Sequence, residues 1–599
     1  MTVTTKPKPH TLNDIFFSVV ARDAHDVMLT EADGRWQPIS SRELYKRVVG
    51  TARSLQRWGI TQGDRVAILC ENRYEWAIAD FATLLIGAAV VPVYATLTCD
   101  QALYVLRHSG ARAIFVSSRA QLEKFQAIAL QTQVEHIVLM DDFEAPGAER
   151  LGPIMASGPD QPDPDFDSAA RTITREHLAT VIYTSGTTGT PKGVMLTHGN
   201  LASNLDVSLD AFQFEPGAHV GISFLPLSHI TARHLDYAMF HHGVTLAYCP
   251  FIDNLPRVIS QIHPTAFVAV PRVYEKIYNQ VQRQVGIGFK RKIYNWAINV
   301  GEQHIDTVLR GKRPTSLSWK LADRVLYSKV RHAMGGRVKV YISGGAPLGR
   351  ELGEWYAKIG IRIHEGYGLT ETSPVIALNN PAAHRLGSVG QPLPNLQVRI
   401  AEDGEILVTG PSVFRGYWNM PEETANAFDG DWFKTGDVGH LDANNFLFIT
   451  DRKKDLIKTS GGKFIAPQPI EGSLKANALI SEAAVIGDRR RFPAVVIAPS
   501  FAVLQDWAQQ NGLYCQSDTD LVAHPKVRAL YEGIVAGINK NLAQYEKLKK
   551  VLIIPEEMTI GNGMLTPTLK LRRRVVEERY RHQIELLYAE PASETVAHS

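Results

Sequence analysis

The chain has 599 residues, enough for more than one domain and a large buried core. With 45% hydrophobic and 21% charged residues it reads as an ordinary globular protein, and a net charge of +3 is too small to point to nucleic acid as a partner. Cys70, Cys99, Cys249 and Cys515 stand far apart with no C-x-x-C, which argues against a zinc site or a disulfide framework and for a reducing, cytoplasmic setting. Met1 to His10 is polar and lacks the apolar stretch of a signal peptide.

Between Ser41 and Trp58, Leu44, Val48, Ala52 and Leu55 recur at helical spacing. Strand signals at Arg65–Leu69, Ala89–Tyr94, Ala113–Val116 and His136–Met140 alternate with helix signals at Tyr74–Leu85 and near Gln121. That alternation predicts an α/β sheet, largely parallel. The apolar run Phe81–Val93, broken by Gly87 and Pro92, is too short to span a bilayer and predicts a buried helix passing into a strand. Pro153 to Asp167, rich in Pro and Asp, predicts a surface connector.

The most informative stretch is Tyr183-Thr-Ser-Gly-Thr-Thr-Gly-Thr-Pro-Lys192-Gly193. Hydroxyls, glycines and one ammonium on a single loop can surround a polyphosphate, and glycine permits the close approach and the left-handed torsions of a tight loop. It is not a Walker A loop, because no Ser or Thr follows Lys192. Strands predicted at Thr180–Tyr183 and Gly193–Thr197 make it a hairpin instead. Further on, Leu225-Pro-Leu-Ser-His-Ile230 follows a strand, and Pro271-Arg-Val-Tyr-Glu-Lys276 is a second segment of note; neither is specific alone. The strand Val340–Ser343 ends in Gly344-Gly-Ala-Pro-Leu348, where a flat base can lie against the backbone, and strand ends in open α/β sheets are where ligands bind. In His364-Glu-Gly-Tyr-Gly-Leu-Thr-Glu371, glycines flank Tyr367 so that its ring can lie against a base, and Glu371 offers a hard oxygen ligand.

After Gly436 the pattern becomes short strands (Phe446–Thr450, Asp455–Thr459, Lys463–Ala466) followed by a small α+β region with a last helix from about Leu571. Trp432-Phe-Lys-Thr-Gly-Asp437 supplies a carboxylate suited to two ribose hydroxyls. The charged turn Asp451-Arg-Lys-Lys-Asp455 marks the domain boundary, and Leu565-Thr-Pro-Thr-Leu-Lys570 places a lysine where the terminal helix begins.

In this order the motifs resemble the adenylate-forming superfamily of acyl-CoA synthetases, peptide-synthetase adenylation domains and luciferases, from about Leu12 onward. The stretch Trp432–Glu471, ending DRKKDLIKTSGGKFIAPQPIE, resembles the signature region of its long-chain fatty acyl-CoA synthetase branch. The resemblance implies a large N-terminal α/β domain with a distorted barrel subdomain (residues 1–450) and a small mobile α+β domain (residues 451–599). It implies ATP, Mg²⁺, a fatty acid and coenzyme A as ligands. Thr184, Ser185, Gly186, Thr187, Thr188, Gly189 and Lys192 would take the phosphates. Gly344, Gly345, Ala346 and Pro347, with Glu365, Gly366, Tyr367, Gly368 and Thr370, would line the nucleotide. Thr184 and Glu371 would hold the metal, and Asp437 with Arg452 the ribose. His229 would stand beside the acyl pocket, Lys454 would be the hinge, Lys570 the lysine of adenylation, and Thr459 to Lys463 the face used for thioester formation. The expected reaction joins the acid to AMP and passes the acyl group to coenzyme A. Two alternatives stand beside it: a ligase loading a carrier protein, and a lipid-binding scaffold on a decayed fold. Peripheral contact with the inner face of a membrane and self-association are left open.

Overall fold

A computed structural model describes residues 8–184, 190–286, 288–460, 463–566 and 570–589. Ser185 to Gly189 therefore lie outside the described residues. The predicted alternation is present: the helix Ser41–Arg57, the strand Arg65–Cys70, the helix Tyr74–Leu85 and the strands Ala89–Tyr94, Ala113–Val116 and His136–Leu139 follow one another. Together with Ala148–Arg150, Leu178–Thr184, Lys192–Thr197 and Gly416–Tyr417 these strands build an eight-stranded sheet, parallel at its centre and antiparallel at the phosphate-loop edge. Its strands are covered on both faces, which is why they read as continuous apolar runs such as Val90-Val91-Pro92-Val93.

A second, nine-stranded sheet runs parallel from Met28–Ala32 through Thr245–Tyr248, Val220–Ser223, Ala266–Ala269 and Val340–Ser343 to Ile363–Gly368, with antiparallel edges. The turn after Val340–Ser343 and the residues around Tyr367 thus leave the carboxyl ends of neighbouring strands. Strands Gln397–Ile400, Glu405–Thr409, Phe428–Asp429, Trp432–Leu441 and Leu447–Arg452 form an antiparallel five-stranded sheet.

The C-terminal lobe centres on the strands Ile480–Ile486, Ala494–Pro499 and Val551–Ile553, of which the first two are wholly buried between helices. It touches the large lobe where Arg272 donates to the Ser481 carbonyl at 2.8 Å. The terminal helix is two pieces, Arg573–Arg579 and Arg581–Ala589, that bury Val576, Tyr580 and Ile584.

One segment departs from its sequence reading. Within Pro153–Asp167 the structure has the end of a helix, Leu151–Ala156, and the start of another, Pro164–Ala170. The first buries Leu151, Ile154 and Met155, spaced for one helical face. The second begins at an Asp163 N-cap, whose carboxylate accepts from the Phe166 N–H, with Pro164 at the first helical position. Asp-Pro here starts a helix rather than marking a loop. Gly158 is fixed by packing, since a Cβ there would lie 1.8 Å from the Lys46 carbonyl of the adjoining helix.

The helices Tyr74–Leu85 and Ile230–His242 are locked by a buried ion pair between Asp80 and Arg233. Arg233 also donates to the Tyr237 hydroxyl at 2.8 Å. Burial pushes the Asp80 carboxyl up, and the guanidinium opposes it. Removing one partner strands a charge in the core. Arg233→Met is expected to destabilise the large lobe by about 3–5 kcal/mol, read from the urea midpoint followed by circular dichroism, while the double variant Asp80→Leu with Arg233→Met regains most of that loss.

Candidate functional site between the lobes

The hairpin strands Leu178–Thr184 and Lys192–Thr197 pair so that Thr184 stands opposite Lys192. The Lys192 ammonium pairs with the Glu423 carboxylate and lies 5.1 Å over the ring of Tyr417. The Tyr417 hydroxyl in turn donates to Glu371 Oε1 at 3.0 Å. Tyr417 therefore joins the two strongest predicted positions, yet it was not among them. It sits on the two-residue strand Gly416–Tyr417, which adds to Lys192–Thr197 from more than two hundred residues away, and no local spacing announces that.

On the other side, Asp437 and Arg452 are register partners in the five-stranded sheet. Arg452 Nε lies 3.0 Å from Asp437 Oδ1, and the Tyr367 hydroxyl donates to Asp437 Oδ2 at 2.7 Å. Both carboxylate oxygens keep a second lone pair for further hydroxyls. Tyr367 was expected to present a ring to a base; the structure also makes it a clamp on Asp437. Gly368 has a stricter reason than base access: a Cβ there would stand 1.7 Å from the Pro374 carbonyl. Thr370 is buried in the one-turn helix Thr370–Thr372.

The Gly344–Pro347 turn lies open, with the backbone of Gly345 at φ +84°, where a non-glycine residue is strained. A Cβ on either glycine would find nothing nearer than 3.7 Å, so a flat ligand can approach. Glu365 has a structural duty here. Its carboxylate accepts from the Leu348 N–H at 3.3 Å and pins the turn, and burial lifts its pKa to about 7.

Lys570 reaches this cleft from the C-terminal lobe. Its backbone N–H donates to the Thr566 hydroxyl at 3.0 Å. Crowding by the surrounding protein and then the Arg452 charge lower its pKa to about 8, against the pull of Asp437, Glu371 and Asp455. The side chain still meets solvent along the cleft. Asp455 was read as part of the boundary turn only, and it belongs to this electrostatic set. His229 feels Lys570 from the other direction: burial first, then that ammonium, lowers its pKa to about 3. Its Nδ1 accepts from the Thr231 N–H at 3.1 Å, at the start of the helix Ile230–His242. A ring so held is neutral near pH 7 and suits a pocket wall, not proton transfer.

Glu371 is the residue that fits a divalent cation. Burial raises its pKa, while a hydrogen bond donated by Tyr417 and the charge of Arg452 oppose that rise. No cluster of three or more His, Cys, Asp or Glu exists among the described residues. A lone carboxylate suits Mg²⁺, which takes most of its ligands from phosphates and water.

Lys453 is tied to the large lobe by Asp403 at 2.5 Å and Glu405 at 2.7 Å, and its N–H donates to the Gly436 carbonyl. Lys454 follows as the chain leaves the sheet. Of the Thr459 to Lys463 face, Gly461 and Gly462 lie outside the described residues, and the Thr459 N–H donates to the Lys463 carbonyl at 3.0 Å.

Two unequal lobes meeting over a cleft of this make define the adenylate-forming fold, a large N-terminal α/β domain with a smaller C-terminal one. The chain belongs to the AMP-binding enzyme family: the family's main domain matches residues 16–418 and its C-terminal domain residues 454–592. It is similar to the long-chain-fatty-acid–CoA ligase FadD15 of Mycobacterium bovis, 36% identical over 95% of both chains. It is also similar to the human long-chain-fatty-acid–CoA ligase ACSBG1, 30% identical over 97% of this chain and 86% of that one. Among solved structures, the adenylation domain of a carboxylate reductase from Mycobacterium chelonae superposes with a TM-score of 0.76 at 22% identity, covering 97% of this chain and 91% of that one. No helix among the described residues is long and apolar enough to cross a membrane.

The lowered pKa of Lys570 has a direct readout. Its amine is expected to become reactive toward an acylating reagent with a midpoint near pH 8, well before an ordinary lysine, when peptide labelling is followed by mass spectrometry. Asp437→Asn removes a charge that favours the ammonium, so the midpoint moves lower still. A midpoint that rises instead would contradict the assignment.

Proposed function

We propose that this chain is an AMP-forming long-chain fatty acid–CoA ligase. The carrying observation is the convergence of Lys570, from the small lobe, on the Asp437–Arg452 pair and Glu371 of the large one. A carboxylate is a poor electrophile, because its charge is delocalised and oxide is a poor leaving group. Attack of the fatty acid carboxylate on the α-phosphorus of ATP forms the acyl–phosphate bond and breaks the bond to pyrophosphate, which leaves with the electron pair. The thiol sulfur of coenzyme A then bonds to the acyl carbon, AMP leaves, and the thiol proton is released.

The nucleophiles belong to the substrates, so the protein's task is placement and charge compensation. Asp437 accepts from the ribose hydroxyls, with Arg452 and Tyr367 fixing its carboxylate. The Gly344–Pro347 turn receives the adenine. Lys192 exchanges Glu423 for phosphate oxygens, and Lys570 offsets charge beside the α-phosphate. Ser185 to Gly189 take phosphates in this reading by their resemblance alone. Thr184 and Glu371 would hold Mg²⁺, whose bound charge offsets that of the phosphates. His229 walls the acyl carboxylate without exchanging protons.

Lys454 is the hinge in this proposal. The anchored Lys453 before it and the family's C-terminal domain from residue 454 onward support that position. Rotation there withdraws Lys570 after the first step and brings the Thr459 to Lys463 face in for the second.

Lys570→Ala is expected to lower fatty-acid-dependent ATP–pyrophosphate exchange by about 10²–10³-fold, as loss of a positioned charge does. Thioester formation from supplied acyl-AMP survives in the same variant; equal loss in both assays would exclude the assigned role. Lys454→Pro, which restricts the backbone torsion, should slow single-turnover thioester formation more than adenylation. Product analysis with coenzyme A and with a carrier protein identifies the acceptor.

A further inference from the structure

The segment Pro271-Arg-Val-Tyr-Glu-Lys276 stands beside the cleft, where the large lobe meets the small one. It opens the helix Pro271–Val285, with Pro271 in the first turn, where a missing N–H leaves no hydrogen bond unmade. Arg272 and Glu275 are one turn apart and pair at 3.3 Å. The helix follows the strand Ala266–Ala269, which pairs with Val340–Ser343 just ahead of the nucleotide turn. Val270 reaches that turn: a Cβ on Gly345 would stand 3.7 Å from its Cγ1.

The small lobe supplies the other half through its strand Ile480–Ile486. The ladder of that strand on Ala494–Pro499 shifts register between Ile480 and Glu482, so Ser481 has no register partner across it. A residue displaced from a ladder in this way turns its groups elsewhere. The Ser481 carbonyl accepts from Arg272 Nη1 at 2.8 Å, and its hydroxyl accepts from Nη2 at 3.3 Å. Glu482, next in the strand, is buried and pairs at 3.1 Å with Lys475 at the end of the helix Pro467–Lys475. Across the boundary Glu482 feels the Arg272 charge, and Lys475 feels that of Glu275. Further along the strand, Ala484 and Ile486 share a buried cluster with Met564 and Leu565, just ahead of Lys570. A hold on Ser481 is therefore a hold on the segment that carries Lys570.

The ion pairs divide by lobe. Arg272 has Glu275 on its own helix, and Lys475 has Glu482 within the small lobe. Parting the lobes leaves each cation with its carboxylate, so no charge is stranded, in contrast to Asp80 and Arg233 in the core. What parting gives up is the two hydrogen bonds from Arg272 and the attraction across the boundary. A contact of that kind holds an orientation and still lets go.

We propose that Arg272 is a positioning residue: it latches the small lobe in the orientation that delivers Lys570 to the cleft, and it releases Ser481 when the lobe turns for the second step. Arg272 precedes the hinge residue Lys454 in the chain and Ser481 follows it, so rotation of the small lobe there parts the two. The latch deepens the two-step ligase reading and rests on it for its catalytic consequence.

Arg272→Met keeps an unbranched side chain and removes both donors. It is expected to lower fatty-acid-dependent ATP–pyrophosphate exchange about tenfold, while thioester formation from supplied acyl-AMP keeps its rate or rises. Arg272→Lys keeps one donor for the carbonyl and recovers part of the loss. Ser481→Ala removes only the longer contact and costs about twofold. A second measurement needs no substrate. With the latch gone the small lobe leaves its place more often, so trypsin is expected to cut after Lys454 at least about threefold faster in Arg272→Met, with circular dichroism unchanged. Faster cleavage in a chain whose parent shows no exchange would support the latch and count against the ligase reading. Cleavage at the parent's rate, or equal loss in both half-reactions, would overturn the latch.

Discussion

The site depends on a buried carboxylate that needs partners. Asp437 is almost inaccessible, and an unpaired charge there would be strongly destabilising. Its sheet partner Arg452 and the Tyr367 hydroxyl meet that need, from the last strand of the large lobe and from the strand Ile363–Gly368 of the nine-stranded sheet. The same contacts set the orientation of the carboxylate and bring two sheets together at one point. They also place Arg452 at the end of the large lobe, one residue before the anchored Lys453. The junction of the lobes is thus rigid up to the residue at which the chain is proposed to swing.

Desolvation shapes the remaining groups in opposite directions according to sign. The carboxyls of Glu371 and Glu365 are raised, and the bases Lys570 and His229 are lowered. A cleft that resists both signs of charge when empty favours ligands that bring compensating charge with them. Triphosphate and a divalent cation together do so, which accords with the reaction proposed. His229 shows the limit of that logic: so low a pKa leaves a neutral ring with a fixed hydrogen bond.

Much of this was readable along the chain. Apolar runs bounded by Gly and Pro located most strands of the eight-stranded sheet, since strands covered on both faces have few polar positions; of the nine-stranded sheet only Val340–Ser343 was given bounds. The hairpin around the phosphate loop followed from two β-rich flanks, and its pairing is as expected. The connector at Pro153–Asp167 was misread because Pro and Asp signal both turns and helix starts. Only the burial of Leu151 and Ile154 separates the two. Tyr417 and Asp455 were passed over because their importance arises from contacts with Glu371 and Lys570, far away in sequence.

The sequence by itself determined the order of elements, the two-lobed division and the residue types that carry the chemistry, because periodicity and short motifs are local properties. Tertiary structure decided which of those residues share a cleft, that Glu365 holds a turn, that Gly368 yields to the Pro374 carbonyl, and that Tyr367 clamps Asp437. Those facts depend on register between distant strands and on exclusion of water, and neither is written in any one segment of the chain.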